Sequence, residues 1–472
     1  MIASTTVDLA RVQFATTSLY HFLFVPLTLG LGPLVAVMQT MWHRTGDERW
    51  YRLTRFFGTL FLINFAIGVA TGLVQEFQFG MNWSIYSKYV GNVFGAPLAI
   101  EGLAAFFLES TFLGLWIFGW NRLSPRLHLA TLWIAVIGTW MSAYFILVAN
   151  SFMQDPVGYK VENGQAVLTS VWALLSSDWA LWAFGHTMFA GLTAGSALVF
   201  GVCCWHFARG RNVELFKPAA KLALIVLVPI SCVNLWFGSH FGILVTELQP
   251  MKIAASEAQW DTCSGCAFSL AQIGGFTESD QKPSWSIQIP DMLSFLATGS
   301  FHGTVQGLNN VNQQYQKQYR TQNGRSQSYL PPVEAVYWSM RGMAYAGSLI
   351  ALVAIVGALL YWKKRLEKWR WFCWVGVVTT FLPFVATTFG WLLTELGRQP
   401  WIVQGLLLTD RANSPAVSTT WLATSLSVFI LLYVFLLVLD IVLMRHYANL
   451  DPPDAGGEGE EPSAEAPPAV AY

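Results

Sequence analysis

The sequence predicts an all-α bundle of nine membrane-spanning helices, with the N-terminus outside and the C-terminus cytoplasmic. Three observations carry that expectation. The 472 residues are 54% apolar and only 11% charged, whereas soluble domains hold about 25% charged residues. Nine apolar stretches reach the ~20 residues that a bilayer requires. The basic residues gather on one side of those stretches.

The stretches lie at roughly 14–42, 56–80, 95–120, 127–150, 182–208, 218–248, 336–362, 371–396 and 420–446. The first lacks a basic n-region and a cleavage site, so it reads as a retained helix rather than a signal peptide. The short loops after helices 1, 3, 5 and 7 contain Arg44, Arg49, Arg52 and Arg55, then Arg122 and Arg126, then Arg209, Arg211, Lys217 and Lys221, then Lys363, Lys364, Arg365, Lys368 and Arg370. With Arg445 these are sixteen of the 27 Lys and Arg residues. The remainder are spread over longer loops, and the positive-inside rule places the short loops in the cytoplasm.

Four segments follow from this layout. Residues 1–248 hold the first six helices, 249–335 an extracytoplasmic loop, 336–446 the last three helices and 447–472 a cytoplasmic tail. The tail is acidic, Pro/Gly-rich and too poor in apolar groups to pack, so disorder is expected. A connection as long as 249–335 is usually functional or disordered. A formal net charge of zero argues against nucleic acid as a partner. No internal repeat stands out.

Of six cysteines, Cys203, Cys204, Cys232 and Cys373 lie in or beside helices and read as core residues. Cys263 and Cys266 form a C-x-x-C in the outer loop, where an oxidising exterior favours a disulfide over redox chemistry.

The topology makes the intramembrane polar residues informative. His43, His128, His206 and His446 fall at cytoplasmic helix ends and read as interfacial side chains; His302 is in the outer loop. His21, His186 and His240 lie within helices on the outer half. Met343 is early in helix 7 and Glu395 late in helix 8; because chain direction alternates, His21, His186, Met343 and Glu395 come out at similar depth. Imidazole, thioether and carboxylate at one level suggest metal or haem ligation. There are too few histidines for a bis-His cytochrome or a copper oxidase, so a haem here would use His–Met, or one protein ligand and an open position. Taken singly, each residue more often serves packing.

Helix 3 carries Glu101 and Glu109, about two turns apart, followed by Ser110, and helix 4 contributes Ser142 and Asn150. Two carboxylates in a membrane helix mark a proton or ion path unless they pair structurally. At 391–401, WLLTELGRQPW adds Glu395 and Arg398 where an apolar helix ends. A charge there costs roughly 2.5–3.5 kcal/mol on the gentler insertion scales. Trp401 alone reads as a belt residue.

These residues sit in segments that resemble the large, haem-bearing subunit of cytochrome bd quinol oxidases over nearly the whole chain. The segments are RVQFATTSLYHFLFVPLTLG at 11–30, GNVFGAPLAIEGLAAFFLESTF at 91–112, LVANSFMQDPVG at 147–158, FGHTMFAG at 184–191, QPMKIAASEAQW at 249–260, YWSMRGMAYAG at 337–347 and GRQPW at 397–401. The resemblance implies a bacterial cell-membrane oxidase that takes electrons from quinol at the outer face. It would reduce oxygen to water with cytoplasmic protons and build a proton gradient without pumping.

By the same resemblance His186 and Met343 are axial ligands of a low-spin haem b. His21 and Glu395 serve the two high-spin haems, one b-type and one d-type, with His21 leaning to haem d. Trp391 lies between haems, and Arg341 and Arg398 near haem propionates. Arg11, which opens the first matching segment, joins the cofactor-binding residues. Glu101, Glu109 and Ser142 belong to the proton route, and Lys252 and Glu257 to the quinol site. A second membrane subunit is implied, with room for small single-helix ones. The C-x-x-C is not part of the family's pattern, and the loop is of the shorter kind. Two alternatives remain: a cyanide-insensitive relative whose third haem is b-type, and a proton-coupled transporter. The transporter would require repeat symmetry and helices interrupted at mid-membrane, neither evident in the sequence.

Overall fold

The computed structural model describes residues 2–319 and 327–453. The acidic tail expected at 447–472 therefore lies outside the described residues from 454 onward. Helices α1 (Ile2–Thr45) and α2 (Glu48–Asn82) form the first hairpin, turned at Asp47, whose carboxylate accepts from the Arg49 N–H. The third span is composite: α3 (Ser84–Ile100), a π-helical turn (Glu101–Phe106) and α4 (Phe107–Phe118). Pro97 removes one ladder donor a turn before the π segment begins. Next, α5 (Pro125–Gln154) starts on a proline, whose missing N–H is not needed in a first turn. A hairpin of β1 (Tyr159–Glu162) and β2 (Gln165–Leu168) and a short α6 (Val171–Leu175) lead to α7 (Asp178–Arg209). Gly210 ends α7 in the left-handed conformation that glycine tolerates, and α8 (Val213–Leu248) follows.

The long connection is folded. It holds α9 (Pro250–Ser256), β3 (Cys263–Ser264), β4 (Phe268–Gly274) paired with β5 (Pro283–Ile289), α10 (Met292–Thr298), β6 (Thr304–Val305) paired with β3, and α11 (Leu308–Gln318). Cys263 and Cys266 are joined as a disulfide. Then come α12 (Val333–Trp362) and a split eighth span, α13 (Arg370–Thr379) and α14 (Leu382–Leu396), broken just before Pro383. A small hairpin, β7 (Trp401–Val403) with β8 (Leu407–Leu408), precedes the last helix, α15 (Thr419–Asn449).

Nine helices among the described residues are long and apolar enough to cross a membrane. Two features depart from the sequence reading. The third and eighth spans are interrupted, by the π turn and by the Pro383 break, where continuous helices were expected. The last helix runs to Asn449, three residues past its apolar stretch.

The termini of the spans define two faces: one with the turns at 46–47, 119–124, 210–212 and 363–369, the other with the N-terminus and the long connections. In the short-loop half the bundle is tightly packed. There α1 and α7 are central, with 72% and 78% of their most apolar windows buried, against 11% for α15. A Cβ on Gly30 would stand 1.8 Å from the Gly191 carbonyl oxygen, so α1 and α7 touch backbone to backbone. Leu31, Leu34, Phe57, Phe61, Phe200 and Cys203 fill the surrounding core.

His128 and His206, expected at the interface, are instead buried. Gln39 Nε2 donates to His128 Nδ1 (2.9 Å), and His128 Nε2 donates to the Trp116 carbonyl (2.8 Å). A neutral ring can give one bond and take one, which satisfies it fully. Cys232, expected in the core, is exposed on α8. Trp401, expected as a belt residue, is buried and stacked on Tyr329.

Candidate functional site

In the long-loop half of the same bundle, several ligand-type residues are only half-buried. His21 and Phe22 on α1, Phe184 and His186 on α7, Met343 and Ala344 on α12, and Trp391 to Glu395 on α14 are half-buried inward residues. The short stretch Gly390–Glu395 links them. A Cβ on Gly390 would lie 3.0 Å from Met343 Sδ, and Trp391 stacks on Phe22 at 4.9 Å, next to His21. Three of the four donors expected at one depth are thus reached within two turns of α14. His240 is the exception among the intramembrane histidines: it is exposed, its ring bonded to its own helix at the Trp236 carbonyl (3.0 Å).

The histidine rings are oriented by their neighbours. Thr71 Oγ1 points its one proton at the Ile67 and Gly68 carbonyls (3.0 and 2.9 Å) and therefore accepts from His21 Nδ1 (3.0 Å). His21 Nε2 then carries the lone pair a metal would take. Asn234 lies beside His186, yet Asn234 Oδ1 and His186 Nδ1 both end without a hydrogen-bond partner of proper geometry. Glycines keep the rings clear: a Cβ at Gly72 would sit 3.0 Å from His21 Cε1, and one at Gly238 3.0 Å from His186 Cε1.

Glu395 is held by neighbouring side chains. Asn150 Nδ2 donates to its Oε1 (3.0 Å), Gln154 Nε2 donates to the same oxygen (3.3 Å), and Arg398 Nη2 bonds Oε2. Arg398 is buried, and its Nε and Nη1 have no partner, two donors turned to an absent acceptor. Lys252 approaches from α9. Its Nζ donates to Gln154 Oε1 (2.6 Å) and lies over the Trp179 ring (4.9 Å). Burial pulls the Lys252 ammonium well below its ordinary value, and Arg398 acts in the same direction.

Glu257 ends α9 and faces α12. Arg341 grips it with two bonds, Nη2 to Oε2 (2.7 Å) and Nη1 to Oε1 (3.3 Å), with both side chains almost fully buried. Burial lifts the Glu257 carboxyl above its ordinary value, and Arg341 works against that. The other Arg341 N–H groups go to the Ser256 carbonyl and to the Ser269 carbonyl (3.2 and 2.5 Å), and Tyr337 lies 3.7 Å from its guanidinium. The five donors of one guanidinium are all accounted for. Arg341 thus holds Glu257 and the base of the loop. Arg11 stands ten residues before His21, 3.7 Å from Asp8, with its Nε buried and unpartnered.

Glu101 and Glu109 share one face of the third span. Eight residues of regular α-helix would leave them about 80° apart, and the extra residue of a π turn takes back about 100°. Both consequently meet α5, where Ser142 Oγ donates to Glu101 Oε1 (2.7 Å) and Thr139 Oγ1 to Glu109 Oε1 (2.7 Å). Gly138 permits this approach, since its Cβ would lie 3.0 Å from the Glu109 backbone nitrogen. Ser110 points away, exposed and bonded to its own helix at Phe106. Glu76 on α2 interacts electrostatically with Glu101.

Sequence reasoning missed Thr71, Thr139, Gln154, Gln249 and Glu76. Gln154 and Gln249 stand inside segments that carried the resemblance, and a buried glutamine in or beside a membrane helix is itself a signal. A cavity of about 250 Å³ lies behind α9, lined by Ile243, Glu247, Pro250, Ile253, Ala297 and Gln306.

The donor set fits haem. Among the described residues no three His, Cys, Asp or Glu side chains converge on one point. Donors standing singly suit a metal whose other ligands come from a macrocycle, and Arg398 has donors free for an acidic edge group. Relatives agree with this chemistry. The sequence profile of cytochrome bd terminal oxidase subunit I matches residues 9–452. The chain is 42% identical to the cytochrome bd ubiquinol oxidase subunit 1 of Bacillus subtilis (strain 168), covering 92% of each. It is 37% identical to the cytochrome bd-II ubiquinol oxidase subunit 1 of Escherichia coli (strain K12), covering 97% of this chain and 98% of that one. It is also similar to a chain of the solved bd oxidase from Geobacillus thermodenitrificans, with a TM-score of 0.84, 26% identity, and coverage of 95% and 99%. With single donors half-buried in one half of the bundle, and similarity running almost end to end, this chain belongs to the cytochrome bd terminal oxidase subunit I family.

Proposed function

We propose that the chain is the haem-bearing subunit of a bacterial plasma-membrane quinol oxidase, paired with a second membrane subunit and open to small single-helix ones. The observation that carries this reading is the gathering of His21, Met343 and Glu395 along one stretch of α14, with His186 half-buried on α7 in the same half. His186 and Met343 would hold a low-spin haem b, and His21 and Glu395 the high-spin pair, one haem b and one haem d, with His21 leaning to haem d. When bound, the haems carry electrons singly and offer oxygen an open iron position.

The residues supply binding, orientation and protons. The short-loop side, rich in Lys and Arg, is the cytoplasm, so quinol meets the folded 249–335 loop from outside. The cavity behind α9 is of a size for a substituted aromatic ring, and the same short helix carries Lys252. Glu257, with its affinity for protons raised by burial, accepts quinol protons and releases them outward, while Arg341 fixes its orientation. Trp391 stacks between α1 and α14 as an aromatic bridge. Protons for water formation come from the cytoplasmic side through Glu109 and Glu101, each paired with a hydroxyl of α5, Thr139 and Ser142. Substrate protons thus leave on one side and enter on the other, so charge separates without a pump.

A pyridine haemochrome assay with a reduced-minus-oxidised spectrum of the purified complex, run beside quinol-driven oxygen uptake, tests this. The expected result is b-type haem with a chlorin d band and uptake that depends on quinol. Haem b alone with cyanide-insensitive uptake selects the relative lacking haem d. Protein without haem rejects the whole reading.

A further inference from the structure

Gln154, the last residue of α5, is completely buried between the quinol loop and Glu395. Four contacts determine how its amide stands. Its Oε1 accepts from Lys252 Nζ (2.6 Å) and from Gln249 Nε2 (3.3 Å), and its backbone carbonyl accepts from Gln249 Nε2 (2.5 Å). Its Nε2 donates to Glu395 Oε1 (3.3 Å). An amide can be read either way round from its shape alone, but its neighbours leave one choice here. An amine offers hydrogens and a carboxylate offers lone pairs, so the oxygen must face Lys252 and the nitrogen Glu395. A flip would oppose N–H to ammonium at one end and lone pair to lone pair at the other.

We infer that Gln154 is a positioning residue that ties the orientation of Lys252 in the quinol loop to that of the Glu395 carboxylate. This rests on the functional reading above, in which Lys252 meets quinol and Glu395 holds a high-spin haem. A displacement of Lys252 toward substrate draws on the same amide that steadies Glu395, so the two sites share one hydrogen-bonded group rather than a chain of packed side chains. Gln249 holds the other side of the amide, and Asn150 and Arg398 complete the Glu395 cradle.

The two ends separate by substitution in the purified two-subunit oxidase. Gln154→Glu keeps oxygen atoms for Lys252 and Gln249 but cannot donate to Glu395 when ionised. The quinol KM should stay within about twofold while the absorption band and midpoint potential of the Glu395-liganded haem shift. Gln154→Leu loses both ends, so KM should rise about tenfold, as for a buried donor left without its partner, with the same spectral displacement. Lys252→Met should also shift that haem band, and adding Gln154→Leu to it should raise KM no further, because the lysine through which Gln154 acts is gone.

The inference is overturned if Lys252→Met leaves the band unmoved, or if the KM effects of the two substitutions multiply. It also fails if Gln154→Glu raises KM as much as Gln154→Leu does. Should Gln154→Leu not assemble, the spectrum of Lys252→Met and the KM of Gln154→Glu still give the answer. Wild-type complex without haem or without quinol-driven oxygen uptake would instead overturn the functional reading, and this inference with it.

Discussion

The same helices behave differently in their two halves. In the short-loop half, α1 and α7 meet at glycines, and Leu31, Phe57, Phe200 and Cys203 close every space between them. One polar trio in this half is mutually satisfied, Trp116 Nε1 donating to Gln39 Oε1 (2.8 Å) while Gln39 and Trp116 hold both nitrogens of His128, although His206 Nδ1 has no partner. In the long-loop half the ligand-type residues are only half-buried, and His186 Nδ1 and Arg398 Nε and Nη1 are left without partners among the described residues. Buried polar atoms are nearly always paired, so unpaired ones beside ligand-type residues mark where something else binds. One half is a close-packed core, and the other is a core with a guest's place in it.

The largest effect should come from filling that place. Gly238→Leu would drive a side chain into His186, and haem content per protein, read by pyridine haemochrome, should collapse with oxygen uptake while the protein remains extractable and helical. Leu31→Ala probes the opposite half. It should lower stability by about 2–5 kcal/mol in thermal or denaturant unfolding and leave haem per folded chain unchanged. If Leu31→Ala removed haem selectively, the division between halves would be wrong.

Glu109→Ala should slow oxygen turnover by about a hundredfold with normal haem content, the usual scale for losing a positioned proton donor. Full turnover would remove Glu109 from the route. A smaller effect concerns Lys252. Its affinity for a proton is lowered in the folded state, so the unfolded chain binds a proton that the folded one gives up. Stability is then fullest above the ordinary lysine value of about 10.4 and declines as pH falls toward the folded value, by at most about 1.4 kcal/mol per pH unit. Lys252→Met should flatten that slope in melting curves taken between pH 7 and 10. Smallest of all, Ser142→Ala should reduce turnover severalfold, whereas Ser110→Ala, on the outer face of the same helix pair, should leave turnover unchanged.

Much of the architecture was readable from composition, because a span needs only length and apolarity. The nine stretches all correspond to helices, and the donors His21, His186, Met343 and Glu395 stand on the expected elements. Burial and partnership were harder. His128 and His206 read as interfacial because hydropathy reports depth along the normal and not the direction a side chain faces. The bond between Arg341 and Glu257 was not legible either, because the two residues lie 84 positions apart in the chain. The π turn left no trace in apolar periodicity, yet it brings Glu101 and Glu109 to one face.

By itself, the sequence determined that this is a multi-pass membrane chain, which nine stretches can cross, and which helices carry the ligand-type residues. Those properties follow from transfer free energies and chain direction, which are local and additive along the chain. Only the tertiary structure decided which polar groups complete one another and which remain open. Pairing depends on contacts between distant segments: Gln154 between Lys252 and Glu395, Arg341 on Glu257, Thr71 on His21. The close approach of α1 and α7 at Gly30 and Gly191 likewise depends on two segments far apart in the chain.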